Sequence, residues 1–198
     1  MEKLIELDKE ILIFLNSFHV SWLDPVMLFI TQTFVWLPLY LFLLYLIIID
    51  YKNDFWIVVV AITITILLTD GITSGLMKPF FERLRPSREP SLNGLIHLVL
   101  DHNGKVYKGG MYGFASSHAA NTLGTATFFF LLFRQTRKWI WVLFVWAISM
   151  TYTRIYLGVH YPGDILVGGT IGVLCGWFGY KLVGWITNWK NQRQIASS

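Results

Sequence analysis

Residues 113–130 read GFASSHAANTLGTATFFF, and this stretch decides how the chain folds. Two serines and a histidine precede an uncharged, aromatic run that continues to Phe133. Serine is a preferred N-cap residue, so the pattern predicts a helix that begins near Ser116. Its apolar body suits the interior of a bilayer, and its polar first turn suits the water interface. His118 in that turn is either an ordinary interfacial residue or part of a functional site. The other polar residues of the sequence distinguish these two interpretations.

The composition also indicates a membrane protein. Of the 198 residues, 55% are hydrophobic, 17% are aromatic and only 14% are charged, whereas soluble domains carry about a quarter charged residues. The basic residues behind the net charge of +4 are scattered among apolar segments, so nucleic acid is not an expected partner. The expected partners are membrane lipids, and the one cysteine, Cys175, excludes an intrachain disulfide.

Five mostly apolar runs are long enough to cross a bilayer, which requires about 20 residues. Before them, apolar residues recur at helical spacing among Glu and Lys, the pattern of an amphipathic helix lying in the interface. We therefore predict an all-α integral membrane bundle of five transmembrane helices, preceded by an N-terminal interfacial amphipathic helix. The predicted spans are residues 26–49, 55–77, 116–133, 139–157 and 165–186.

We expect a single membrane domain over residues 1–198. It divides into an interfacial helix at 1–20, a helical core at 24–188 and, inside that core, an extracytoplasmic loop at 86–112. Within the loop, the pair Asn103–Gly104 between two β-prone runs predicts a tight hairpin.

Two local features predict how the spans are shaped. Pro38 lies inside the first span and predicts a kink there. Gly168, Gly172 and Gly176 recur every four residues in the fifth span, and small residues at this interval allow two helices to approach closely.

Basic residues in short connections predict the orientation of the bundle. The link 134–138, the turn at Lys52 and the tail with Lys190 and Arg193 fall on one side of a five-span bundle, which should be cytoplasmic. The N-terminal helix, the long loop and the link 158–164 then lie on the periplasmic face. The sequence thus predicts a multi-pass protein of the cytoplasmic (inner) membrane.

Most of the remaining polar residues collect at the predicted periplasmic ends of the spans. Basic residues that only fix topology favour the cytoplasmic side, and charged residues at membrane depth usually mark a site. The residues that meet at this face are Lys78, Arg85, Ser116, Ser117, His118, Arg154, His160 and Asp164.

Three cations in this set match the chemistry of a phosphate group. A phosphate monoester carries about −1.5 to −2 charges near neutral pH, and the guanidinium groups of Arg85 and Arg154 can bind its oxygens bidentately. Lys78 adds a third positive charge. The first turn of the third span adds free backbone N–H groups and the hydroxyl of Ser116. Together these residues predict a phosphate pocket.

The two histidines suggest a reaction at that pocket. His160 precedes Asp164 by four residues, and a carboxylate that accepts from one ring nitrogen leaves the other nitrogen available as a nucleophile. His118 comes from another span and is the expected general acid and base, a role worth about 10²–10⁴-fold in rate. The same side chains also permit a zinc site, but three nearby cations would repel the metal. We expect no metal and no cofactor.

These motifs resemble those of the type 2 phosphatidic acid phosphatases, which share a helical core with vanadium haloperoxidases. The family pattern has three parts, KxxxxxxRP, PSGH and SRxxxxxHxxxD. KPFFERLRP at 78–86 matches the first in full, and ASSH at 115–118 matches the second only at Ser and His. TRIYLGVHYPGD at 153–164 matches the third except that Thr153 replaces Ser. The resemblance covers about residues 24–186.

The resemblance implies a role for each matching residue. His160 would be the nucleophile that becomes phosphohistidine, Asp164 its partner and His118 the acid and base. Ser117 stands where the family has Gly, and it offers the same backbone N–H with a narrower range of φ. The phosphate ligands implied are Lys78, Arg85, Ser116, Ser117 and Arg154, with no metal.

We therefore expect a metal-independent lipid phosphatase that hydrolyses a phosphate monoester or diphosphate at the outer leaflet. The family suggests undecaprenyl diphosphate, phosphatidylglycerol phosphate, phosphatidate or a lipid A phosphate as substrate. Two alternatives stay open. A lipid phosphotransferase would pass the phosphoryl group from His160 to an alcohol. A non-catalytic lipid-phosphate binder or transporter would need the cations but not the His160–Asp164 pair.

Overall fold

The computed structural model describes residues 2–101 and 103–197, and these residues are helical apart from loops and two isolated β-bridges. A π-helical segment, Gly71–Met77, continues the fourth helix into the fifth. The α-helices of the described residues are α1 (Glu2–Asn16), α2 (Asp24–Ile30), α3 (Leu37–Tyr51), α4 (Phe55–Asp70), α5 (Lys78–Phe81), α6 (Ser117–Phe133), α7 (Val142–Tyr156) and α8 (Pro162–Ser197).

The prediction of an all-α fold is confirmed. Two helical runs, Thr33–Phe81 and Pro162–Ala196, are by themselves long and apolar enough to cross a membrane. Helices α6 and α7 begin and end within three residues of the predicted third and fourth spans. The number of five crossings remains a prediction.

The first predicted span is not one kinked helix, and this part of the prediction is wrong. Helix α2 ends at Ile30, Gln32 has extended backbone (φ −82°, ψ 132°), and a 3₁₀ turn at Thr33–Trp36 leads into α3. Pro38 lies in the first turn of α3 rather than in a helix interior. Proline is well accommodated there because the first-turn N–H groups have no intrahelical acceptor.

Helices α6 and α8 form the centre of the bundle, and they pack backbone against backbone. The predicted stripe of small residues on α8 makes this possible, because a Cβ atom at any of its three glycines would overlap a carbonyl oxygen of α6. Close packing along this stripe is therefore confirmed. Gly168 faces the carbonyl of Ser116, Gly172 that of Ala120 and Gly176 that of Gly124.

Ion pairs gather the basic connections at one end of the bundle. Arg137 in the α6–α7 link pairs with Asp50 at the end of α3, and Lys190 in α8 pairs with Asp54 in the α3–α4 turn. The three basic segments therefore share one end, as the sequence predicts.

Helix α1, the long loop and the α7–α8 link meet at the opposite end. Asn16, the last residue of α1, is buried; its side-chain amide donates to the carbonyl of Tyr156 at 2.8 Å and accepts from the N–H of His97 at 2.6 Å. The predicted turn is present in the loop, since Tyr107 N–H donates to the carbonyl of Val99 at 2.9 Å and Gly104 has a positive φ of 71°.

Candidate active site

The site is built around the link between α7 and α8. His160 lies in this link and Asp164 lies in the first turn of α8, and both are almost fully buried. The His160 Nδ1 atom is 3.2 Å from Asp164 Oδ2. The same carboxylate oxygen accepts the backbone N–H of Tyr161 at 3.1 Å. The expected His160–Asp164 pair is thus present, with the ring held through Nδ1.

A residue that the sequence reasoning did not select holds the other oxygen of Asp164. Arg83 Nη1 donates to Asp164 Oδ1 at 2.9 Å, and its guanidinium carbon lies 3.8 Å from the centre of the Tyr161 ring. Arg83 Nη2 donates to Asp8 of α1 at 2.8 Å. Arg83 occupies an unspecified position of the KPFFERLRP motif, so the motif gave no reason to choose it.

Two buried guanidinium groups lie beside the histidine. Arg85 Nε donates to the carbonyl of Tyr112 at 3.1 Å, and Arg154 Nη1 donates to the hydroxyl of Thr31 at 2.7 Å. Within the described part of the chain, Arg85 Nη1 and Arg154 Nε are buried and have no hydrogen-bond partner. Buried donors nearly always have acceptors, so these two atoms suit an anionic ligand such as phosphate.

The replacement of Ser by Thr at position 153 keeps the hydroxyl in use. Thr153 Oγ1 lies 2.9 Å from the hydroxyl of Thr31 and donates to the carbonyl of Met150 at 2.7 Å. Thr31 in turn accepts from Arg154. A chain of hydroxyl groups therefore fixes the guanidinium of Arg154 to the helix that carries it.

Lys78 is held by the serine that replaces the glycine of the family pattern. Lys78 Nζ donates to Ser117 Oγ at 2.7 Å and to Ser74 Oγ at 2.8 Å. Thr73 also donates to Ser117 Oγ, at 2.9 Å. Thr73 and Ser74 come from the π-helical segment, a feature that is frequent at functional sites. Ser117 is a helical residue with negative φ, so the helix does not require glycine there.

Ser116 is the N-cap of α6. Its Oγ accepts the N–H of Ala119 at 3.4 Å, and its own N–H donates to the backbone carbonyl of Asp164 at 3.0 Å. The hydroxyl proton of Ser116 is not used in the cap. The N-cap interpretation of the serine is therefore confirmed, and the second contact joins α6 to the first turn of α8.

His118 faces the same cluster from α6. It interacts electrostatically with Arg154, His160 and Arg85, and its ring contacts the backbone of Thr31. His160 in turn interacts with Arg85, Arg154 and Lys78. The structure therefore brings both histidines and all three cations, distant along the chain, to one place.

The charges around His160 decide its protonation. Burial lowers the pKa of His160 well below its ordinary value, and the positive charges of Arg85 and Arg154 lower it further. The ring is therefore neutral near pH 7, which leaves one nitrogen lone pair available. Burial and the neighbouring Arg154 also lower the pKa of Arg85, to about 10, so its guanidinium remains charged.

An apolar cavity of about 410 Å³ leads from His118 into the bundle between α3, α4, α6 and α7. Its wall near the site carries Asn121, Thr122 and Thr125, and the rest of the wall is largely aliphatic and aromatic. A cavity of this shape offers room for an apolar chain whose polar end lies at the cluster.

The donor set does not fit a metal ion. Over residues 2–101 and 103–197, no group of three His, Cys, Asp or Glu side chains is placed to share one. Asp164 is already engaged by Arg83 and His160. The groups that remain around the histidines are cations, which favour an anion at this position.

Comparison with known proteins gives a consistent family. The model of the PAP2 superfamily matches residues 54–188. A lipid A 4'-phosphatase of Bacteroides thetaiotaomicron is 38% identical over 193 residues, covering 94% of this chain and 81% of that protein. A lipid A 4'-phosphatase of Porphyromonas gingivalis is 31% identical over 183 residues, covering 92% of this chain and 75% of that protein.

A solved structure has the same fold. The PAP2-type phosphatidylglycerolphosphate phosphatase of Bacillus subtilis superposes with a TM-score of 0.64 at 22% identity. The superposition covers 95% of this chain and 88% of that chain. The helical arrangement described above is therefore shared beyond the three motifs.

Proposed function

Because this chain belongs to the PAP2 superfamily, we propose that its site removes the 4'-phosphate of lipid A. The chain is a membrane lipid phosphatase, a phosphoric monoester hydrolase, as its family and its relatives indicate. The choice of lipid A among the four substrates that the family suggests rests on two relatives named for that activity, which match over most of their length.

One observation carries the proposal. Three features come together: the buried His160–Asp164 pair, the unpartnered donors of Arg85 and Arg154, and the apolar cavity that His118 lines. A lipid phosphate has the matching parts, because its headgroup is anionic and its chains are apolar. The phosphate would accept from the two guanidinium groups and from Lys78, while a chain lies in the cavity.

The geometry supports a two-step transfer. In the first step His160 Nε2 attacks phosphorus, the bond to the sugar oxygen breaks, and His118 gives that oxygen a proton. Asp164 holds the Nδ1–H of His160 and stabilises the cationic ring that forms. In the second step His118 takes a proton from water, whose oxygen displaces His160 from phosphorus. The arginines neutralise the charge on the equatorial oxygens in both steps.

A binding or transport protein would not use this arrangement. Cations alone would retain a phosphate, whereas here a buried carboxylate orients one imidazole ring through Nδ1. This contact favours catalysis over the non-catalytic alternative.

We place the site on the periplasmic side of the inner membrane. The support is the arrangement of charge: the basic segments joined by the Asp50–Arg137 and Asp54–Lys190 pairs lie at the end opposite the site. Such segments favour the cytoplasm. Lipid A that has reached the outer leaflet of that membrane would then be within reach.

The test is a purified protein in detergent, assayed with lipid A, undecaprenyl diphosphate, phosphatidylglycerol phosphate and phosphatidate. We expect inorganic phosphate release to be fastest with lipid A, and mass spectrometry to find the phosphate missing from the 4' position. Faster turnover of another lipid, or loss from the 1 position, would overturn the substrate assignment.

His160→Ala is the matched variant for this assay. We expect it to release no phosphate and to form no acid-labile phosphoprotein, while the protein still inserts and folds. Retained turnover would remove His160 as nucleophile. Lipid phosphate lost without equal inorganic phosphate would indicate a phosphotransferase. Activity should survive a strong chelator, and loss that zinc restores would contradict the metal-free route.

A further inference from the structure

We propose that Asp8 of α1 is a positioning residue for catalysis, acting through Arg83 on the carboxylate of Asp164. The interfacial helix is then a part of the active site and not only a membrane anchor. This inference rests on the proposed function, because it concerns the same phosphoryl transfer.

A continuous chain of charged contacts links α1 to the nucleophile. Asp8 Oδ2 accepts from Arg83 Nη2 at 2.8 Å, Arg83 Nη1 donates to Asp164 Oδ1 at 2.9 Å, and Asp164 Oδ2 lies 3.2 Å from His160 Nδ1. The side chain of Asp8 is 14% exposed and that of Arg83 24% exposed, whereas that of Asp164 is 0% exposed. This series of contacts therefore runs from the edge of the site to its buried centre.

Asp8 makes a second contact that fixes where α8 begins. Asp8 Oδ1 accepts the backbone N–H of Gly163 at 2.7 Å. A Cβ atom at Gly163 would lie 2.8 Å from Asp8 Oδ2, so a larger residue there would displace the carboxylate. Gly163 directly precedes Asp164, and the carboxylate of Asp8 therefore caps the turn from which Asp164 projects.

The two carboxylates share one guanidinium, and this sharing has an electrostatic consequence. With Asp8 in place, its negative charge offsets part of the electrostatic effect of Arg83 on Asp164. Without Asp8 the whole charge would act on Asp164, which would then support the developing positive charge on His160 less well. Loss of Asp8 should therefore lower kcat rather than raise KM, because the His160–Asp164 pair is not a phosphate ligand.

Helix α1 brings this carboxylate from a surface that is suited to lipid. Leu4, Leu7 and Phe14 are exposed on α1, and its buried side is held by Asn16 against α7 and the long loop. An amphipathic helix with such a face lies in the membrane interface. The position of Asp8 is therefore set by a helix that contacts both the lipid surface and the site.

A double-mutant cycle tests the inference on the full chain in detergent. Asp8→Asn keeps the size of the side chain and should lower kcat about tenfold while KM changes less than twofold, since small displacements of a catalytic group cost rate. Asp8→Glu should restore part of the loss. In an Arg83→Gln background, Asp8→Asn should lower kcat by less than about twofold, because the link is already broken.

Two further variants separate the effect of Asp8 from a general effect of changing α1. Glu6→Gln removes an exposed charge from the same helix and should leave kcat unchanged. Gly163→Ala leaves every charge in place but displaces Asp8, and it should lower kcat in the same direction as Asp8→Asn. All variants should keep thermal midpoints close to the wild type.

The outcomes separate this inference from the function on which it rests. Unchanged kcat in Asp8→Asn, or an equal loss in both backgrounds, overturns the positioning role while phosphatase activity stands. A loss confined to KM overturns it as well. Activity on another lipid phosphate but not on lipid A overturns only the substrate assignment, since the cycle can then be measured with that lipid. A chain that hydrolyses none of them overturns both.

Discussion

Ser117 shows how a side chain can be added to the site without disturbing the helix that carries it. The family pattern has glycine at this position, and Ser117 adds a hydroxyl that accepts from Lys78 Nζ at 2.7 Å. Two residues of the π-helical segment, Thr73 and Ser74, bind the same hydroxyl. The lysine is therefore directed by side chains from two helices before any phosphate arrives.

Removal of this hydroxyl should affect substrate binding more than chemistry. In Ser117→Gly we expect kcat/KM to fall by about threefold to tenfold, mainly through KM, because a hydrogen bond to a charged group contributes about 1.5–3 kcal/mol and Ser74 still holds the lysine. Steady-state kinetics with lipid A measures the split. Ser149→Ala is the control, because it removes an exposed serine hydroxyl that donates within its own helix, to the carbonyl of Val145, and it should leave kcat/KM unchanged. A loss beyond a hundredfold would mean that Ser117 itself touches the reacting phosphate.

At the scale of single residues, sequence reasoning finds what a motif specifies and misses what it leaves open. The spacing of KPFFERLRP and of TRIYLGVHYPGD identifies residues that the fold does bring together. Arg83 sits in the first motif at an unspecified position, and its partner Asp8 lies 75 residues away in α1. Nothing local distinguishes that aspartate from the Glu residues around it, because its role depends on where α1 docks.

Among the helices, α6 and α8 depend on each other most strongly. Their backbones meet along Gly168, Gly172 and Gly176, and the N–H of Ser116 in the α6 cap donates to the carbonyl of Asp164. The contact that packs the bundle therefore also aligns the two helix ends that carry His118 and Asp164.

A methyl group at the centre of this stripe should separate the two helices. In Gly172→Ala we expect a thermal midpoint lower by about 5 °C in detergent, because overpacking costs about 1–3 kcal/mol. Activity should fall as well, since α6 and α8 carry opposite sides of the site. Gly184→Ala is the control on the same helix, because a Cβ atom there has nothing within 4 Å. Equal midpoints for the two variants would contradict the close contact.

The helices were predictable to different degrees, and the differences have physical causes. Helices α6 and α7 follow from apolar runs with clear polar ends. The break between α2 and α3 was missed because the run 26–49 carries no charge, although Thr31, Gln32 and Thr33 form a short polar stretch where α2 ends. Thr31 is turned inward by its contact with Arg154, which lies 123 residues away, and the chain leaves the helix there. Pro38, the proline that predicts a kink in this span, lies seven residues after Thr31, where the break occurs.

The whole molecule has two chemically distinct ends. At one end lie the basic segments, where Arg137 pairs with Asp50 and Lys190 pairs with Asp54. The other end collects α1, the long loop and the site. The long loop packs over the site rather than extending from it, since Ser87 Oγ donates to the carbonyl of Lys108 at 2.9 Å and Tyr107 lies beside Arg154.

Cysteine labelling tests which end faces the periplasm. In a Cys175→Ser background, Asn93→Cys places a thiol on the exposed long loop and Gln135→Cys places one on the exposed α6–α7 link. In spheroplasts of a Gram-negative host, we expect a membrane-impermeant maleimide to label the first variant and to label the second only after lysis. The reverse pattern would place the site in the cytoplasm and contradict the charge rule for this protein.

The close contact of α6 with α8 also has a consequence for biosynthesis. A ribosome releases α6 and α7 into the translocon before α8 has been made. The carbonyl groups of α6 that face Gly168 and Gly172 are therefore not yet packed against α8. Asp164 arrives only with that helix. The nascent chain therefore brings its three cations and His118 to the membrane before Asp164 has been made. Asp164 is the carboxylate that orients the other histidine, His160. On the proposed mechanism, we therefore expect no hydrolysis until α8 has been made.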